Sequence, residues 1–265
     1  MKKAMVPILA LIILAGVSCN QGKSKTQAKG ALKKSGKIYT FEKATIVSKS
    51  EIHPGISVEQ DIYIDNYGAR EARYTITRMN YNGQNVETRA LSMVTPEYIY
   101  SVDFQAKRGT KIPNDPEGVI EKMRKIIVSS KLSEATKTHL ISSLPQEKDA
   151  LKNSEATGLV IKDFIKNLKP VGQEKILGLN CDIYEIKDDS TGQVQAKLYV
   201  WNNLPIKLVD AKGKVIQEVV SIDTTKVDTT KFVLPDSVKV DDWLVSFKSS
   251  IKQFEEQEAE QQKKK

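Results

Sequence analysis

Apolar residues fall at every second position through several runs of the chain. Leu177, Leu179, Cys181 and Ile183 alternate with other residues, as do Val194, Ala196, Leu198 and Val200. A period of two gives each run one apolar and one wetter face, the pattern of a half-buried strand. Between the runs lie Lys187–Gly192, Asn202–Pro205 and Ala211–Lys214, each rich in turn formers and short enough to reverse a strand. From Gln173 to Pro235 the pattern predicts an antiparallel meander.

The first half of the chain has the same character. Gly36–Ser50, Ile56–Asn66, Ala69–Tyr81, Gln84–Val94 and Glu97–Gln105 read as strands, parted by His53-Pro54-Gly55, Asn66-Tyr67-Gly68, Tyr81-Asn82-Gly83 and Thr95-Pro96. Ala72, Tyr74 and Ile76 share one face of the third strand, and Tyr98, Tyr100, Val102 and Phe104 share one face of the fifth. Such faces need cover, either as ordinary core or as the wall of a cleft.

In the middle the period changes to that of a helix. Asp115 can cap a helix over Pro116–Ser130 that carries Val119, Ile120, Met123, Ile126 and Ile127 on one side. A second helix follows Ser133, with Ala135, Leu140 and Ile141 inward, and is expected to end before Pro145. A third spans Leu159–Leu168. After Pro235, Trp243, Phe247, Ile251 and Phe254 mark a last helix whose polar end, Glu255–Lys265, is expected to fray.

The segments Gly178-Leu179-Asn180-Cys181-Asp182-Ile183-Tyr184, Leu198-Tyr199-Val200-Trp201, Leu204-Pro205-Ile206-Lys207 and Val227–Pro235 resemble the second half of the LolA/LolB-like periplasmic lipoproteins. The resemblance covers about sixty residues well and the earlier strands loosely. It implies an α+β fold, a curved open antiparallel half-barrel of about 9–11 strands with helices over its concave face. On that plan residues 37–240 form the half-barrel, with a helical insert at about 116–168, and residues 241–265 form a terminal helix and polar tail.

The N-terminus adds location. Lys2 and Lys3 precede an apolar run from Ala4 to Ala15, too short to span a bilayer comfortably, which reads as a cleaved export signal over residues 1–18. Gly16-Val17-Ser18-Cys19 resembles a bacterial lipobox, although Gly16 stands where that motif prefers a branched apolar residue. The resemblance implies acylation of Cys19, hence membrane anchoring without a spanning helix. Asn20 resembles the sorting signal for the outer membrane, facing the periplasm. The other cysteine, Cys181, then lacks an intrachain disulfide partner and reads as a small buried apolar residue.

The formal charge of +8 invites a nucleic-acid reading, but its distribution excludes one. Of 41 Lys and Arg, eight precede Ile38, which leaves 33 against 33 Asp and Glu in the body. Six of the eight (Lys23, Lys25, Lys29, Lys33, Lys34 and Lys37) sit in a Gly/Ser/Thr/Gln stretch without acids, a flexible tether that either lies along anionic headgroups or serves as a spacer.

Chemistry-bearing patterns are missing. His53 and His139 stand apart and without companions, so a transition-metal site is not expected. No Gly-x-Ser-x-Gly, phosphate loop or dinucleotide fingerprint occurs, and no cofactor is implied. The sequence reading is therefore a non-enzymatic, monomeric envelope lipoprotein, anchored to the membrane by its acyl chains. It would bind a hydrophobic ligand or a lipoprotein in a cleft lined by Tyr74, Ile76, Tyr98, Tyr100, Phe104, Val119, Met123 and Ile127. The alternative reading is an envelope interaction, assembly or sensor protein whose cleft is filled by its own helices.

Overall fold

The computed structural model describes residues 37–263 except 82, 155 and 189. The expectations for the signal, Cys19 and the tether up to residue 36 lie outside the described residues. The fold is α+β and is built on one open sheet of 12 strands. Strands β1 to β6 are Ala44–His53, Ile56–Asp65, Arg70–Tyr81, Gln84–Val94, Tyr98–Asp103 and Arg108–Pro113. Three helices follow: α1, Pro116–Ser129; α2, Glu134–Asn153; and α3, Thr157–Ile165. Then come β7 to β11, at Gly172–Ile176, Leu179–Lys187, Val194–Trp201, Leu204–Asp210 and Val215–Asp223, and finally β12, Lys239–Asp242, and α4, Trp243–Lys263.

The strand order is β12-β6-β5-β4-β3-β2-β1-β11-β10-β9-β8-β7. Every pairing is antiparallel except that of β12 with β6. Because β12 lies beside β6 while β11 lies beside β1, the connecting segment Thr224–Val238 must cross the sheet between them. This strap covers the face that carries Ala72, Leu91, Met93 and Val102, and seats Phe232 against them. Helices α1, α2 and α4 pack together around Ile112, and α3 contributes Ile161 and Ile165 beside Tyr184, Leu198 and Val200.

Register fixes which residues share a face. Ile112 pairs with Ile99 and Ile99 with Val94, so these three point toward the α1 side. Tyr98, Tyr100 and Val102 alternate with them and point the other way, toward the strap.

Several expectations are corrected. The expected first strand, from Gly36, begins only at Ala44, because Ile38 and Tyr39 donate their N–H groups to Tyr67 O at 2.9 and 3.2 Å instead of joining the ladder. Leu177 is not a strand residue but half of the tight β7–β8 turn with Gly178, at φ 51° and 81° and 48% exposed. Arg108–Pro113 is a strand that the pattern conceals, since Ile112 is its one large aliphatic side chain. Helix α2 continues through Pro145. The proline removes one N–H, but Leu144 and Leu151 hold the helix in the core on either side of it. Helix α4 extends to Lys263, because Glu255 accepts from Lys131 N at 2.6 Å and Glu258 accepts from Ser133 N at 2.8 Å.

Candidate functional site

The residues expected to line one cleft fall into two groups on opposite faces of the sheet. Tyr74, Tyr100 and Phe104 border the strap around Phe232. Tyr74 stacks on Phe104 at 6.0 Å and meets Tyr63 edge-on at 5.8 Å, while Tyr98 lies 6.0 Å from Tyr100. Ile76 pairs with Glu59 and Arg89 on that same side and is half-buried. Burial raises the pKa values of Tyr63, Tyr74 and Tyr100 above the usual phenol value, so their hydroxyls stay neutral donors. One of them, Tyr74, donates to Lys231 O at 3.0 Å and so ties the sheet to the strap.

Val119, Met123 and Ile127 form the second group. Asp115 caps α1 by accepting from Gly118 N, and Pro116 opens the helix, which turns these three side chains toward Leu132, Leu144, Trp243 and Ile251. Met123 is 8% exposed and Ile127 1%. Their partners are the chain's own helices.

A third feature is absent from the sequence expectations. Where β1 to β4 reach their hairpin turns, a groove of about 470 Å³ is lined by Ile56, Met79, Val86, Arg78, Asn80 and Glu87, among others. Ile56 pairs with Met79 and Met79 with Val86, so the register lays three apolar side chains in one row across three strands. Val86 is 43% exposed. On the opposite face of the same strands, Arg78 is held by Glu59 at 3.3 Å and Glu87 at 3.0 Å. Sequence alternation alone suggests each of these residues singly; only the pairing register aligns them.

The opposite end of the same strands is closed by a buried polar latch. Glu71 is fully buried and accepts from Tyr39 Oη at 2.8 Å, from Thr157 N at 3.1 Å and from Thr157 Oγ1 at 2.5 Å. Arg73 Nε approaches the same carboxylate at 3.3 Å. Tyr39 Oη in turn accepts from Gly158 N at 2.8 Å. Burial and the Glu71 charge push the Tyr39 phenol well above its ordinary pKa. A Cβ on Gly68 or Gly158 would come within 2.8 and 2.7 Å of the Tyr39 ring, so both positions are kept bare by that ring. The latch fastens residues 37–43 to α3 and to the β2–β3 turn, at the end of the strands remote from the groove.

Among the described residues no group of three or more His, Cys, Asp or Glu is placed to hold a metal. Cys181 is buried, and burial pushes its thiol up, away from a reactive thiolate. No described helix is long and apolar enough to cross a membrane.

No protein-family model matches the chain, and no curated protein matches it. Among solved structures, an uncharacterized conserved protein from Thermus thermophilus aligns at TM-score 0.40 and 11% identity, covering 77% of this chain and 91% of that one. MucB, solved in complex with MucA(peri), aligns at TM-score 0.34 and 11% identity, covering 75% of this chain and 56% of its own. At such scores the likenesses carry no argument. The architecture, an α+β protein on an open and almost wholly antiparallel sheet, rests on the strand register.

Proposed function

We propose that the protein is a membrane-anchored, non-enzymatic binding module of the cell envelope, and that it engages a protein rather than a free amphiphile. One observation carries this reading. The apolar surfaces that would line an amphiphile cleft are filled by the chain itself, the α1 face by α2 and α4 and the tyrosine face by the strap. The envelope location and the anchor rest on the export-signal pattern and on Cys19.

Residue 37 enters the body at the β2–β3 turn, where Lys37 Nζ lies 3.7 Å from the centre of the Tyr67 ring. The groove lies at the other end of strands of about ten residues, roughly 30 Å away. The apolar row of the groove suits a side chain of an extended protein segment.

Titrating the purified protein with a fluorescent fatty-acid probe tests the choice of ligand class. No saturable uptake is expected; saturable one-to-one binding would restore the amphiphile reading. A photo-crosslinking residue at Val86 in cells is expected to give a discrete protein adduct that the same probe at Leu177 does not. Equal adducts at both positions would remove the groove from the account.

A further inference from the structure

We infer that the strap-covered face of the sheet is a second recognition surface, shaped for an extended peptide segment bearing an aromatic residue directly after a cationic one, and that the strap is its internal occupant. The inference deepens the reading of the protein as a protein-binding module and rests on it.

The trough is made by the sheet and not by the strap. Ala72 pairs with Met93, Leu91 with Val102 and Met93 with Tyr100, so strand pairing alone sets its floor. Tyr63, Tyr74, Tyr100 and Phe104 surround that floor. The occupant inserts one side chain deeply, Phe232, which is 9% exposed. The outer face of the Phe232 ring carries the Arg70 guanidinium, 4.9 Å from its centre. The preceding residue, Lys231, puts its ammonium 5.7 Å from Tyr63 and 5.5 Å from Tyr74. The neighbouring Val233 points outward and is 66% exposed. An aromatic plug after a cation on irregular backbone is how a peptide ligand would sit.

The strap is attached as a ligand is, not as a strand. Among the described residues its backbone-to-backbone hydrogen bonds are local, from Lys231 N to Asp228 O, Val233 N to Thr230 O and Val238 N to Pro235 O, until Lys239 N reaches Lys107 O at 3.0 Å. Side chains hold it down, with Tyr74 donating to Lys231 O and Thr45 to Lys226 O. It also has slack. Seven strand spacings separate β11 from β12, about 34 Å along the sheet, whereas fifteen residues reach roughly 50 Å when extended. The difference is taken up by the short helical turn Thr229–Phe232, so the strap can lift while β11 and β12 stay paired.

The test uses the full chain and a labelled nine-residue peptide of the strap sequence, Val-Asp-Thr-Thr-Lys-Phe-Val-Leu-Pro. In the wild-type protein the trough is occupied, and apparent affinity falls by the fraction of molecules that are open. The Phe232→Ala protein is expected to bind the peptide at least about tenfold more tightly than wild type, by fluorescence anisotropy. Peptides with Phe replaced by Ala, or Lys by Glu, are expected to lose that binding. Amide exchange on the wild-type protein supplies the second measurement, with Thr224–Val238 expected to open before the amides of β3 and β4. A folded Phe232→Ala protein that ignores the peptide overturns the inference. So does a Phe232→Ala protein that no longer unfolds cooperatively, or a strap that exchanges only with global unfolding. Uptake of a fatty-acid probe by Phe232→Ala in place of the peptide overturns the peptide class. Uptake by the wild-type protein refutes the proposed function instead, and leaves the strap to be judged on the peptide data.

Discussion

Met123→Asp separates a helix that is core from a helix that is a lid. The side chain is 8% exposed and sits among Val119, Ile120, Ile127, Leu144, Trp243 and Ile251. Truncating such a methionine to alanine costs about 2–4 kcal/mol through lost transfer energy and the cavity left behind. A carboxyl in place of the methyl adds a buried polar group with no partner in an all-apolar cluster, about 1–3 kcal/mol more even if it is protonated. The sum, about 3–7 kcal/mol, is a large share of the roughly 5–15 kcal/mol that holds a typical domain together. For a body of this size it lowers Tm by about 6–28 °C. Thermal unfolding followed by far-ultraviolet circular dichroism reads the shift, and Met123→Leu, which keeps the volume, is expected to stay within a few degrees of wild type. A lid draws on the least stable part of a structure, so an Asp variant that melts near wild type but loses affinity for a fatty-acid probe would refute the packing argument.

Four further outcomes follow from the same geometry. Tyr39→Phe removes one donor from the buried Glu71 and leaves Gly158 N without its acceptor, and is expected to cost about 1–3 kcal/mol by urea unfolding, with Tyr39→Phe and Glu71→Gln non-additive in a double-mutant cycle. Gly158→Ala would ordinarily favour a helix, yet its Cβ would lie 2.6 Å from Ile38 Cγ2, so the clash decides the sign and the variant is expected to be destabilised. The Glu258 carboxyl is held below its usual pKa by Thr136 and Ser133, so its contribution is present above the unfolded-state value near pH 4.3 and is lost as pH falls below it; amide protection at the start of α2, measured against the intrinsic exchange rate at each pH, should fall on acidification, and Glu258→Gln should remove that pH dependence. Cys19→Ala should release the protein from the membrane fraction or leave its precursor uncleaved, and a variant that is processed and fractionates like wild type would end the lipoprotein reading.

Much of the fold is legible as period. Gln84–Val94 is marked off by Asn82-Gly83 before it and Thr95-Pro96 after it, so its strand bounds are read directly, and Asp115-Pro116 announces α1 to within a residue. What escapes is set by contacts remote in sequence. β12 is four residues long and exists because β6 offers it a parallel edge, which no local pattern encodes. The polar end of α4 looks free to fray until Glu255 and Glu258 meet the corner before α2, more than 120 residues away. The candidate site residues stand out in sequence for their apolar faces, but a sheet has two sides. Alternation places Tyr74, Tyr98 and Tyr100 on a face without saying whether helices or strap will cover it. The groove at Ile56, Met79 and Val86 depends on register across three strands, and the Tyr39 latch depends on Gly158 arriving from the far end of the helical insert.

The apolar faces of this sheet are filled by the protein itself, by α1, α2 and α4 on one side and by the strap on the other. Native mass spectrometry of protein purified from cells and stripped of loosely held lipid measures this most directly. The predicted result is a single species at the mass of the polypeptide with its covalent anchor. A stoichiometric lipid-sized adduct that leaves only when the protein unfolds would contradict it.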